Sequence, residues 1–182
     1  MNYFFRYIFL GSLVDLLCYI FVQNKYVVIQ VFLVYLYYYL YHRFVLHVFD
    51  INLHVYVHHY KYFQIPRYLE LIIDFLFEIF SFAGTLILLQ YFLNIWFIPP
   101  SIISIVILTL SLSHLFNYSI LGSEIHKAHH EDPTKNFGPD FLDHIFGTNA
   151  SEEYEDSIQH IPYLVQACII THVAKLYFQW KD

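Results

Sequence analysis

Nine of the twelve histidines in this chain of 182 residues fall into four tight groups. His42 and His47 are spaced HxxxxH, His54, His58 and His59 are spaced HxxxHH, His114 stands alone, and His126, His129 and His130 are spaced HxxHH. Neutral imidazole is a good ligand for iron, zinc and copper, and spacing decides whether several rings can share an ion. Residues three and four apart lie on one helix face, which suits His54 with His58, and His126 with His129 and His130. Adjacent histidines diverge by about 100° on a helix, so one can reach a metal while its neighbour reaches a second metal or an outer partner. His42 and His47 diverge by about 140° on the same geometry and need helix packing or a local break to converge. Nine imidazoles exceed what one metal takes and suit two. Imidazole-rich sites that keep an open position suit iron that activates oxygen. His144, His160 and His172 lie outside the groups and read as ordinary interfacial polar residues.

The elements that must hold these rings are membrane helices. Hydrophobic residues make up 58% of the chain and charged residues 13%, against roughly 45–50% and about 25% in soluble domains. A soluble core of this size cannot hide so much apolar surface, and a bilayer can. The few scattered basic residues argue against a nucleic-acid partner. Cys18 and Cys168 lie in apolar stretches and predict no disulfide framework. The expectation is one all-α integral membrane domain over residues 1–182, with spans near 7–23, 26–41, 79–98 and 101–121. Segments 42–78 and 122–160 would form a histidine-rich cap holding a di-metal site, and 161–180 an apolar helix lying on the protein or at the interface. Glu70, Asp74 and Glu78 recur every four residues. Because Ile79 to Ile98 is long enough to span alone, this stripe is expected in the cytoplasmic extension. The alternative is that Asp74 or Glu78 anchors a ligand histidine through its second nitrogen, a task for which Asp143 is the better candidate. Basic residues collect on the cytoplasmic side, so four spans would place both termini and every histidine group there.

The pattern HxxxxH, HxxxHH, HxxHH, separated by paired spans, resembles the signature of the fatty acid hydroxylase and sterol desaturase superfamily. The tail extends the resemblance: Asn136-Phe-Gly138, then Leu142-Asp143-His-Ile-Phe146-Gly147-Thr148, is similar to the family's "NYG…WDxxFGT" ending. It departs in having Leu142 where the family has Trp, and Tyr118 where relatives often carry a further His, so Tyr118 is a substitute ligand or an outer support. The resemblance covers roughly Tyr41 to Thr148. It implies a non-haem di-iron monooxygenase that hydroxylates a fatty acyl, sphingolipid or sterol C–H bond. The two irons would be held by His42, His47, His54, His58, His59, His114, His126, His129 and His130, with Tyr118, Asn136 and Asp143 supporting them from behind. The implied partners are a bilayer lipid, O2 and an external electron donor such as cytochrome b5 or a reductase, and the implied home is the endoplasmic reticulum membrane in a eukaryotic cell. Desaturation or demethylation on the same scaffold, and a non-catalytic metal-binding membrane protein, are the competing expectations.

Overall fold

The computed structural model describes residues 3–47, 54, 65–152, 154–180 and 182, with only the backbone described for Ile125 and His126. Among these residues all regular structure is helical. Helix α1 is Tyr3–Val22, α2 is Val27–Tyr41, α3 is Arg67–Ile79 and α4 is Thr85–Leu93. Helix α5 is Pro100–Ser113, α6 is Glu124–Glu131, α7 is Asp140–Phe146 and α8 is Ile161–Phe178. Three π-helical segments extend these elements: His42–Leu46 after α2, Phe80–Gly84 between α3 and α4, and His114–Ile120 after α5.

Helix α5 forms the centre. Its apolar residues run all round the helix, and Ile102, Ile103, Ile105, Val106 and Ile107 are buried, as expected of a helix enclosed by others. Helices α1, α2, α3 and α8 pack around it. Each outer helix turns a narrow stripe inward, such as Leu10, Val14 and Cys18 on α1, or Leu164, Ala167 and Thr171 on α8. The opposite faces are also apolar: Phe5, Ile20, Ile169, Val173 and Leu176 are exposed. Helices apolar on both faces suit a lipid surround. Four helical stretches are long and apolar enough to cross a membrane: Tyr3–Val22, Arg67–Leu93, Pro100–Ile120 and Ser157–Phe178.

This set differs from the expected one in three ways. Helix α2 alone has 15 residues, about 22 Å of rise, which falls short of a hydrocarbon core of roughly 30 Å until the π segment is added. The third span starts at Arg67 and stops at Leu93, where Asn94 adopts the left-handed conformation that ends helices. It therefore includes the acidic stripe, and Asp74 and Glu78 are buried inside the bundle. The third difference is α8, which lies along the bundle rather than flat against one end. His160 bonds Ser113, Thr171 bonds Ser104 at 2.8 Å, and Asp182 accepts hydrogen bonds from Ser101 N and Oγ at 3.0 and 2.9 Å. These pairs run antiparallel along the whole of α5. At the other terminus, Arg6 pairs with Asp156 beside the start of α8. Tyr3 and Asp182 thus lie toward opposite ends of the bundle. Sequence hydropathy missed this because Gln166, His172 and Lys175 interrupt α8; Lys175 Nζ in fact reaches the α1 end, donating to Phe21 O at 3.3 Å.

Candidate metal centre

The problem of His42 and His47 is solved by the backbone. Five residues apart, they would point away from one another on an α-helix. The π segment His42–Leu46 replaces that register with i→i+5 bonding, which brings residues five apart onto one face; such segments are rare and concentrate at functional sites. His42 Nε2 then lies 3.1 Å from His47 Nε2 and 3.2 Å from His54 Nε2. His129, on α6, completes the group. One ring nitrogen from each of His42, His47, His54 and His129 falls within 4.8 Å of every other. For comparison, metal–nitrogen bonds of about 2.0–2.1 Å in tetrahedral geometry separate the donors by about 3.3 Å.

The rings are aimed from behind by backbone carbonyls. His42 Nδ1 donates to Phe137 O at 2.6 Å, and His129 Nδ1 donates to Lys135 O. This fixes the tautomer that leaves Nε2 as the electron-pair donor, the usual orientation device behind a metal-bound imidazole. Both carbonyls come from a single loop after α6. Asp143 shapes that loop: its carboxylate accepts from Phe137 N at 2.9 Å, Gly138 N at 2.7 Å and Thr148 Oγ1 at 2.7 Å. Thr148 Oγ1 also bonds Tyr39 Oη on α2 at 2.8 Å, and Arg43 donates to the same Tyr39 oxygen. Asp143 therefore folds the loop that holds two histidines, and among the described residues it anchors no histidine ring itself. Asn136 also closes the loop, its Oδ1 accepting from Ala150 N and its own N–H donating to Thr148 O. Gly147 ends α7 at φ 68°, a left-handed conformation that glycine adopts without strain.

His114 begins the π segment after α5, and its Nδ1 contacts the buried carboxylate of Glu78. Glu78 therefore holds a histidine ring, as the alternative reading of the acidic stripe expected, though His114 is not shown to be a metal ligand. His114 is close enough to His42 and His129 for its charge to act on both, yet it is not among the four converging donors. His130 stands beside His129, ring centroids 6.2 Å apart, and is likewise outside the convergent four. His58 and His59 lie outside the described residues, as does the side chain of His126. Of the nine expected ligands, four are brought together in one cluster. Tyr118 packs near His114 at 5.9 Å between ring centroids and donates to Glu155 at 2.6 Å, which fits an outer support.

A cavity of about 120 Å3 opens against this centre, lined by His42, His114 and His129 together with the apolar Leu10, Tyr35 and Leu110. Glu155 and His160 also line it, and sequence reasoning singled out neither. His160, expected to be an interfacial residue, is buried. No pattern in the chain marked it, since its importance comes from packing against α5. The comparisons found no family model, no curated protein and no solved structure that matches the chain.

Burial keeps the cluster neutral. Desolvation lowers the pKa of His42 well below the ordinary histidine value, that of His47 to about 4 and that of His129 to about 3, with neighbouring histidines adding to the effect. Protons compete with a metal for an imidazole only below its folded-state pKa. Four ordinary imidazoles would lose affinity steeply once the pH fell below about 6.5. Here the competition by these three rings is deferred to lower pH. Metal affinity measured by chelator competition should therefore change less than about tenfold between pH 7.5 and 5.5. A loss of tenfold or more per pH unit in that window would contradict the burial of the centre.

Proposed function

We propose that the chain is a membrane-embedded, metal-dependent lipid hydroxylase of the fatty acid hydroxylase type. The single observation that carries this reading is the convergence of four histidine nitrogens, two of them on His42 and His129 at the lining of a largely apolar cavity, inside a lipid-facing helical bundle. The residues fit the implied iron: buried neutral imidazoles, two of them oriented from behind by carbonyls, form a donor set suited to a transition metal. His42, His47, His54 and His129 would hold one ion. His114, His126, His130, His58 and His59 supply further imidazoles for a second. Bound iron supplies the oxidising power for unactivated C–H bonds, and the protein's part is to position the reactants.

The chain's own residues orient and exclude. Leu10, Tyr35 and Leu110 give an acyl or sterol skeleton an apolar seat next to the rings. Tyr38, stacked on Phe82 at 4.0 Å, and Phe137 close the centre against water. Electrons come from a separate carrier of the cytochrome b5 or reductase type. One observation favours a second reading: four imidazoles alone would close a tetrahedral site, as in structural metal centres, and a non-catalytic metal-binding protein would then result. Lipid profiling separates the two. Cells expressing the chain should accumulate a lipid carrying one added oxygen, and His129→Ala should abolish it. A lipid with two hydrogens fewer would indicate desaturation, and identical profiles in both strains would refute an oxidative role.

The histidine end is proposed to face the cytoplasm, in a eukaryotic cell from the endoplasmic reticulum membrane. Among the described residues Arg6, Arg43, Arg67, Lys127 and Lys135 lie at that end, while Lys25 and Lys175 lie at the other, the bias expected of the cytoplasmic side. Because the chain ends sit at opposite ends of the bundle, cysteine labels placed before Tyr3 and after Asp182 should react with an impermeant reagent from opposite faces. Reaction from the same face would mean that α8 does not cross.

A further inference from the structure

The metal centre leaves a second set of buried polar groups unused. Glu155 is 6% exposed and lies between two spaces. It lines the interior cavity together with Tyr118 and His160, and it also lines an outer groove formed by Tyr3, Ser123, Glu124, Asp156 and Gln159. One carboxylate oxygen faces each way. Oε1 accepts from the exposed Gln159 Nε2 at 2.7 Å. Oε2 accepts from Tyr118 Oη at 2.6 Å and lies 3.5 Å from His160 Nε2. The other nitrogen of His160 bonds Ser113 Oγ at 2.9 Å, so this imidazole has a hydrogen-bonding group at each end. Asp140 closes the cluster, accepting from Glu155 N at 3.0 Å and from the Tyr7 hydroxyl.

We infer that Glu155 carries protons between the outer groove and the cavity, passing them to His160 at the cavity wall while the Tyr118 hydroxyl holds Oε2 in place. The carboxyl is the one titratable group found in both linings. Its two oxygens allow uptake on one side and release on the other, which a single hydroxyl could not do as directly. Each transfer breaks one O–H or N–H bond and forms another. Hydronium in the groove gives its proton to Oε1 and leaves as water; rotation of the carboxyl turns that O–H toward His160, and as the O–H bond breaks an N–H bond forms at Nε2, giving the imidazolium and restoring the carboxylate. The purpose of such a route rests on the proposed hydroxylation: inserting one oxygen atom of O2 into a C–H bond and reducing the other to water takes two electrons, from the external carrier, and two protons. A cavity walled by apolar helices has no bulk water to supply them.

The route can be tested without turnover. In metal-free protein in detergent, nuclear magnetic resonance of the His160 ring N–H after transfer to deuterated solvent reads how fast protons cross. Glu155→Gln keeps the shape and the acceptor for Tyr118 but cannot carry a proton, so His160 exchange should slow by about tenfold or more, in line with the loss of a positioned acid–base group. Glu155→Asp, which retains the acid, should recover most of the rate. Should Glu155→Gln not fold, Gln159→Leu at the exposed side should slow exchange in the same direction. Unchanged exchange in Glu155→Gln, or in Gln159→Leu if only that variant folds, would overturn the route. Slowed exchange in a protein that leaves every lipid unaltered would uphold the route while refuting the hydroxylase reading.

Discussion

His42→Ala is expected to strip the centre of its metal while leaving the helical bundle folded. His42 is the hub: its Nε2 approaches both His47 and His54, its ring packs 5.2 Å from His129 between centroids, and its Nδ1 is tied to the loop that also holds His129. Binding free energies of about 10–16 kcal/mol for four-ligand metal sites imply about 2.5–4 kcal/mol per ligand. Loss of one ring should therefore weaken binding by roughly two to three orders of magnitude, measurable by chelator competition. The fold should survive because the small cavity left by the ring lies at the end of the apolar core, next to Phe82 and Phe137 rather than among the α5 isoleucines. Circular dichroism should be unchanged. Retention of wild-type affinity would mean that the four rings do not share an ion.

Glu78→Ala should produce the largest loss of stability of any single truncation among the charged residues. Glu78 is 2% exposed and its partner His114 is 6% exposed, both within stretches apolar enough to cross a membrane. Truncating Glu78 leaves an imidazole buried without its acceptor. Removing one member of a buried pair costs about 3–5 kcal/mol, a large part of the roughly 5–15 kcal/mol that holds a typical domain together. Glu78→Gln, which still accepts from a ring N–H, should cost less. Glu70 provides the control, because its partner Arg67 is half exposed, and ion pairs open to solvent contribute about 1 kcal/mol or less. Unfolding of metal-free protein in detergent gives the comparison without interference from metal loss. Equal costs for Glu70→Ala and Glu78→Ala would show that Glu78 is not buried as described.

The helical membrane character was readable from composition, because so much apolar surface has no other way to be covered. A histidine cluster able to hold a metal ion was readable from histidine spacing, and even the need for a local break between His42 and His47 followed from their five-residue interval. Other features were not readable. Side-chain types cannot show that two backbone carbonyls, of Lys135 and Phe137, orient the rings. They suggested that Asp143 would hold a histidine, whereas it holds the amides of the loop carrying those carbonyls. The polar residues of α8 disguised a helix that runs the length of α5: Gln166 and His172 stay exposed on its outer face and lower the hydropathy, while Leu164, Ala167 and Thr171 make the inward stripe. That Asp74 and Glu78 pack against other helices was not readable either, because the neighbouring apolar run sufficed to span and nothing in the sequence required the acidic stripe to turn inward.

The most direct measurement is the metal content and ligand environment of the purified chain after anaerobic reconstitution with ferrous iron. Elemental analysis should find one to two ions per chain, two if the further histidines complete the second site. X-ray absorption should show nitrogen donors at about 2.0–2.2 Å, with the outer-shell scattering of imidazole rings. His42→Ala should lose that signal. A chain that holds no iron, or holds it through oxygen ligands alone, would contradict the assignment of His42, His47, His54 and His129 as a metal centre.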